Sequence, residues 1–230
     1  MTNLHTLNIL VHVTAGCLAI IIGLAVLSRP KGTPWHRAVG RIALIFVGIC
    51  VGGALIGAFV FRGRIDLIGV SLLVTYHIWS GVRSLRLKAR GRRPADLVPA
   101  TGILALGAAV AMLYAAGEGH YHWPAGLVYP SAGALVAYGG WDVLRTLWPL
   151  SWRIALNPAE HAYKMTSLIG SLVSVAFGTV LKAYALPASL SAAAVFAVLG
   201  VVLAVRAARK AVGVTPSVAL NARLKTDNEV

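Results

Sequence analysis

The chain has 230 residues, of which 58% are hydrophobic and 12% charged, with a mean hydropathy of +0.77 and a formal net charge of +14. A soluble domain carries about 25% charged residues, so this composition excludes a soluble globular enzyme and points to an all-α, polytopic membrane helical bundle. The basic excess requires no nucleic acid, because positive residues are retained on the cytoplasmic side of a membrane protein and meet anionic lipid headgroups there.

A membrane-crossing helix needs about 20 mostly apolar residues. Seven stretches qualify, at 6–28, 41–61, 66–86, 99–116, 126–147, 160–182 and 189–208. They predict one seven-helix transmembrane domain over residues 1–210 and a polar cytoplasmic tail over 211–230. Eighteen of the 21 Lys and Arg fall in the odd-numbered connections and the tail, and three fall on the other side. That asymmetry predicts an outside N-terminus, a cytoplasmic C-terminus and a place in a bacterial cytoplasmic (inner) membrane.

The first span has no basic residue before it and no small-residue cleavage pattern after it, so it is expected to remain in the mature protein. His5, Asn8, His12, Ala15, Gly16, Ala19 and Gly23 share one polar, small-residue face, which should look into the bundle. Next comes "KGTPWHRAVGR", in which Thr33 is a helix N-cap and Pro34 the first helical residue, putting His36 in the first turn of span two. Span two holds two GxxxG pairs, Gly48/Gly52 and Gly53/Gly57, suited to a neighbouring helix, a partner membrane subunit or a second copy of the chain. Cys17 and Cys50 lie inside spans, without a CxxC or CxxCH motif, and read as packing residues.

Span three carries His77 on one side with Ser80, Gly81 and Ser84. The fourth connection reads "GEGHYHWPAG" and contributes Glu118, His120 and His122, which with His5 and His12 form a candidate metal or haem cluster on the outer side. Pro130 is placed to bend span five. "NPAEHAYKM" repeats the helix-start grammar, with Asn157 as cap and Glu160 as the acid of a capping box. His161 therefore matches His36 in depth, and Arg37 and Lys164 flank the pair. Along span six Ser167, Ser171, Ser174 and Gly178 form one small-residue stripe.

"HVTAGCLAIIIGLAVL", "KGTPWHRAVGR", "HIWSGVRSLRL" and "HAYKM" together resemble a family of uncharacterised bacterial multi-pass membrane proteins, grouped as a domain of unknown function. The resemblance covers most of the first three spans and the start of the sixth. It implies a marked histidine in the first helix, His12, an HRxxG turn formed by His36, Arg37 and Gly40, and a late pair, His161 and Met165. The family implies no activity. Helices with histidines near both faces are similar in style to small b-type cytochromes, an analogy only.

Three functions fit the pattern. The leading expectation is a haem-b (or other metal) electron-transfer protein, with cofactor-binding residues drawn from His12, His36, His77 and His161, because two imidazoles from different helices can ligate one iron. His12 and His77 differ too much in depth to form one axial pair, so the favoured pairs are His36 with His161, and His12 with His120 or His122. His36 and His161 equally suit an anionic group such as a propionate or lipid phosphate. A noncatalytic transporter, lipid-binding or assembly subunit is the alternative. A membrane metal-dependent hydrolase ranks below both, since only seven acidic residues are present and no HExxH places ligands on one helix. The seventh span lacks the buried lysine that a retinal Schiff base would need.

Overall fold

A computed structural model of the chain describes residues 3–61, 68–87, 93–116 and 125–227. The described residues are helical nearly throughout: α1 Asn3–Ser28, α2 Pro34–Phe59, α3 Ile68–Leu87, α4 Leu97–Ala115, α5 Ala125–Leu144, the short α6 Leu150–Ala155, α7 Asn157–Val180 and α8 Ala185–Asp227. Three-residue 3-10 turns precede α4 and α8 and follow α5. Four segments are long and apolar enough to cross a membrane: Asn3–Ser28, Pro34–Phe59, Pro94–Ala115 and Lys182–Ala211. The remaining long helices, α3, α5 and α7, are less apolar for a common reason. They carry the polar side chains that face one another inside the bundle.

Three antiparallel hairpins, α1/α2, α4/α5 and α7/α8, are arranged around α3, which packs on α2, α4, α5 and most closely on α7. The apolar core joins Ala19 of α1, Val47 of α2, Val74 of α3, Leu168, Ile169 and Val173 of α7 and Ala192 of α8. Small residues permit the close approaches. A Cβ at Gly139 of α5 would lie 2.7 Å from the Ala100 carbonyl oxygen of α4, and one at Gly107 would lie 2.8 Å from that of Ala132. On α1, Ala15, Ala19 and Gly23 are buried as their shared face predicts.

The turn between α1 and α2 is built residue by residue from its sequence. The Lys31 ammonium donates to the Val26 and Arg29 carbonyls at 3.1 Å and to Leu27, closing the end of α1. Its partial burial there holds the Lys31 ammonium below the usual lysine range. Gly32 takes a φ of +82°, in the left-handed region open to glycine. Thr33 Oγ1 then accepts from the His36 backbone N–H at 3.1 Å, with Pro34 at the helix start, and the Arg29 guanidinium lies 5.9 Å from the centre of the Trp35 ring. The expected cap is present.

The second helix start departs from expectation. Asn157 is the first residue of α7 rather than its cap, and no side chain caps this helix. The reason is α6, whose last turn runs directly into α7: the Leu156 N–H donates to Trp152 and the Glu160 N–H to Leu156. No extended residue precedes α7, and the asparagine and glutamate side chains make tertiary bonds instead. The seventh helix is also longer than the sequence pattern suggests, since α8 continues beyond position 208 to Asp227.

Candidate functional site: a buried ion network and an apolar cavity

Where α3 and α5 end and α7 begins, four charged side chains are buried together. Lys164 Nζ lies 2.6 Å from Asp142 Oδ1 and 2.8 Å from Oδ2, and donates to Ser80 Oγ at 2.6 Å. Asp142 Oδ2 also accepts from the Tyr76 hydroxyl at 2.5 Å and from Ser80 at 2.7 Å. One turn further along, Glu160 accepts from Trp141 Nε1 and Ser84 Oγ, both at 2.9 Å, and pairs with Arg145. Lys164 lies 3.7 Å from the same Glu160 carboxylate. Arg145 also donates to Asn157 Oδ1 at 2.8 Å and to the Arg153 carbonyl. Two cations and two carboxylates thus neutralise one another.

Arg145, Lys164 and Asp142 are each at most 1% exposed, and Glu160 is 5% exposed. Burying single charges at this depth is prohibitive, but paired and hydrogen-bonded ones are tolerated. Sequence reading assigned Arg145 and Lys164 to a basic surface connection. The missed signal was spacing: Asp142 with Arg145 and Glu160 with Lys164 stand three and four residues apart, so each helix contributes both charge signs on one face.

Beyond this network lies a cavity of about 480 Å³ between α3, α5, α7 and the first turns of α8. Ser167, Ser171, Ser174 and Gly178, the stripe seen in the sequence, form one wall, and Lys182 and Leu186 stand at its far end. The hydroxyls are already engaged. Ser171 donates to the Ser167 carbonyl at 3.0 Å, Ser174 to Ser189 at 2.7 Å, Ser189 to Ser174 at 2.9 Å and Ser131 to Val128 at 3.0 Å, while the Tyr138 hydroxyl donates to Ser167 Oγ at 2.8 Å. His77 is different. It lines the cavity, is 1% exposed, and neither ring nitrogen has a hydrogen-bond partner among the described residues. Its ring meets the edge of Tyr138 at 4.3 Å between centres.

The other sequence-derived candidates divide by helix pair. His12 Nδ1–H donates to the Cys50 carbonyl of α2 at 2.7 Å, one turn from Asn8, whose amide donates to the Gly53 carbonyl at 3.1 Å. His5 stacks on Phe61, ring centres 4.8 Å apart. Both residues therefore serve the α1/α2 contact. Glu118, His120 and His122 lie outside the described residues, and among the described residues no group of three or more His, Cys, Asp or Glu is placed to hold a metal ion. His161 Nδ1–H donates to the Gly81 carbonyl at 3.1 Å, and His36 lies within electrostatic reach of the His161 ring. A carbonyl only accepts, so that bond directs the other His161 nitrogen away as a lone pair. Of the GxxxG pairs, Gly53 and Gly57 face His12 and Asn8 of α1, whereas Gly48 and Gly52 face open space.

No family model, no curated protein and no solved structure matches this chain.

Proposed function

We propose that the chain is a noncatalytic membrane carrier or lipid-binding protein that takes a small molecule into the cavity between α3, α5, α7 and α8. In this reading it crosses the cytoplasmic membrane of a bacterium seven times with its N-terminus outside, and the ion network closes the cytoplasmic end of the cavity. Helix length supports seven crossings: the shortest of the seven long helices, α4, has 19 residues, or about 28 Å at 1.5 Å per residue, close to the hydrocarbon thickness. The basic asymmetry supports the orientation even with Arg145 and Lys164 set aside as buried. Reporter fusions at Arg37 and Lys210 are expected to read cytoplasmic and one at Gly119 external.

One observation carries the functional reading. A large, mostly apolar cavity lies one helical turn from four mutually neutralised charges, since His77 and Ser167 of its lining stand one turn from Ser80 and Lys164 of the network, and in this reading the paired charges block passage until they separate. The test uses Ser171→Cys in a background with Cys17 and Cys50 replaced by serine. A bilayer-soluble maleimide should label it, and a membrane-impermeant reagent applied from the cytoplasm should not. Adding Glu160→Gln should open the cavity to the impermeant reagent. Absence of labelling by the soluble reagent, or cytoplasmic labelling indifferent to Glu160→Gln, rejects the reading.

A second reading has its own observation. The His36 ring acts electrostatically on that of His161, and the His161 ring is held by a carbonyl in the manner of a metal-ligating imidazole, which supports a haem b, another metal or an anionic group there. Oxidised and reduced absorption spectra of protein purified in mild detergent test it. A Soret band lost in both His36→Ala and His161→Ala supports haem there, and a colourless preparation removes haem.

A further inference from the structure

We infer that the cavity binds an uncharged, mostly apolar molecule bearing a hydroxyl or carbonyl oxygen, and that His77 holds this oxygen. The inference deepens the carrier reading by naming the chemistry of its ligand. It starts from an imbalance. A buried polar group without a partner is destabilising, so the great majority are hydrogen-bonded. Yet His77 is fully buried with both nitrogens unpartnered, while every serine named above on the cavity wall is bonded to a neighbouring backbone or hydroxyl. The residue left to recognise a ligand at the inner end of the cavity is the imidazole.

Its chemistry selects the ligand. A neutral imidazole offers one N–H and one lone pair, so it can donate to a carbonyl or accept from a hydroxyl. The walls around it, including Leu73, Ala134, Val175 and Leu190, suit a hydrocarbon or ring body. A charged head is disfavoured, because the inner end provides no counter-ion of its own. Asp142 and Lys164, whose charges act on the His77 ring, already neutralise each other. Among the described residues that line the cavity, the single cation is Lys182 at the exposed far end. The volume of about 480 Å³ falls in the range of small-molecule sites, about 300–1,000 Å³.

The route in is lateral. Among the described residues α5 and α8 both line the cavity without packing closely on one another, and the inferred entry lies between them. A membrane-dissolved molecule reaches His77 that way without crossing water.

The experiment measures binding of four ten-carbon-chain probes to protein in lipid nanodiscs: n-decanol, a decyl-substituted benzoquinone, decanoate and decane. Decanol or the quinone should bind more tightly than decane and decanoate, and whichever is tighter distinguishes a hydroxyl ligand from a carbonyl one. His77→Phe should weaken the oxygen-bearing probe about tenfold, the equivalent of one buried hydrogen bond, and leave decane unchanged. Because the variant could be misfolded, ¹⁵N-histidine spectra of the unaltered protein give a second readout, in which the bound probe should shift the His77 ring nitrogens. Binding of decane as tight as that of decanol and the quinone, tightest binding of decanoate, or an oxygen-bearing probe bound without a His77 shift overturns the inference. Its failure leaves the labelling test of the ion gate intact. Conversely, binding with an indifferent gate overturns only the carrier reading.

Discussion

Two levels of the α3/α5/α7 trio, one turn of α3 apart, bury polar groups in opposite ways. At one level Lys164, Asp142, Arg145 and Glu160 are matched in sign and joined to Tyr76, Ser80, Ser84, Trp141 and Asn157. At the other, one turn of α3 away, His77 has no partner and faces an apolar cavity. The first arrangement joins three helices around matched charges. The second leaves a recognition group available at the expense of stability. Substitutions at the two levels should therefore have opposite signs.

The largest effect is expected at Asp142. Replacing it by Ala leaves Lys164, Tyr76 and Ser80 facing one another without their acceptor, and removal of one member of a buried pair destabilises by about 3–5 kcal/mol. Replacing both members, as Asp142→Leu with Lys164→Met, should recover most of that loss, since hydrophobic substitutes for a complete buried pair are often neutral or better. Thermal unfolding in detergent measures both. A double variant as unstable as the single one would show that the network contributes through its wider hydrogen bonds and not through the ion pair.

Close helix approach ranks next. Gly139→Val places new carbons against the α4 backbone at Ala100 and Leu104, where a Cβ alone would be within 3.0 Å of three backbone atoms. Overpacking of this kind destabilises by about 1–3 kcal/mol. Backbone cannot rotate aside as a side chain can, so the α4/α5 hairpin must separate. An unfolding midpoint equal to that of the unaltered protein would mean that this hairpin is not packed as described.

At the cavity the sign should reverse. His77→Phe keeps the edge contact with Tyr138 and removes two unpartnered nitrogens, so without added ligand it should be neutral or stabilising by about 1 kcal/mol. A loss above that value would show that the imidazole is hydrogen-bonded in the membrane.

These contrasts also mark what the sequence could disclose. Helix positions followed from apolar length, and the inward faces of α1 and α3 followed from periodicity, because both are properties of one helix. The Thr33 cap was legible for the same reason: its partner is three residues away. Asn157 failed because its role depended on α6, a six-residue helix too short to register as an apolar span. The charge network was illegible because Asp142, Lys164 and Glu160 meet only when three helices pack, and a basic residue at a span boundary looks the same in sequence whether it faces headgroups or a carboxylate. The serine stripe was visible, but not that it lines a cavity. The histidines drew attention to metal chemistry. Where described, His12 and His161 bond to helix carbonyls, a use that leaves no motif.

The smallest expected effect separates the two GxxxG pairs of α2. Gly53 faces His12, whose Cβ would lie 3.0 Å from an added methyl, and Gly57 faces Asn8 at 3.4 Å. Gly48 and Gly52 have nothing within 4 Å of an added Cβ. Alanine in a helix interior is favoured over glycine by about 1 kcal/mol. At Gly52 nothing opposes that gain, so Gly52→Ala should be stabilising by a few tenths to about 1 kcal/mol. At Gly53 the same gain is offset by displacement of His12, which would strain its bond to the Cys50 carbonyl, and the net effect should be neutral or unfavourable. The comparison also tests for a partner. If a second copy or another subunit packs on the Gly48/Gly52 face, Gly52→Ala should weaken association in crosslinking or light scattering while leaving the fold intact, because close approach of two backbones tolerates no extra methyl. Unchanged association together with raised stability would assign that face to lipid.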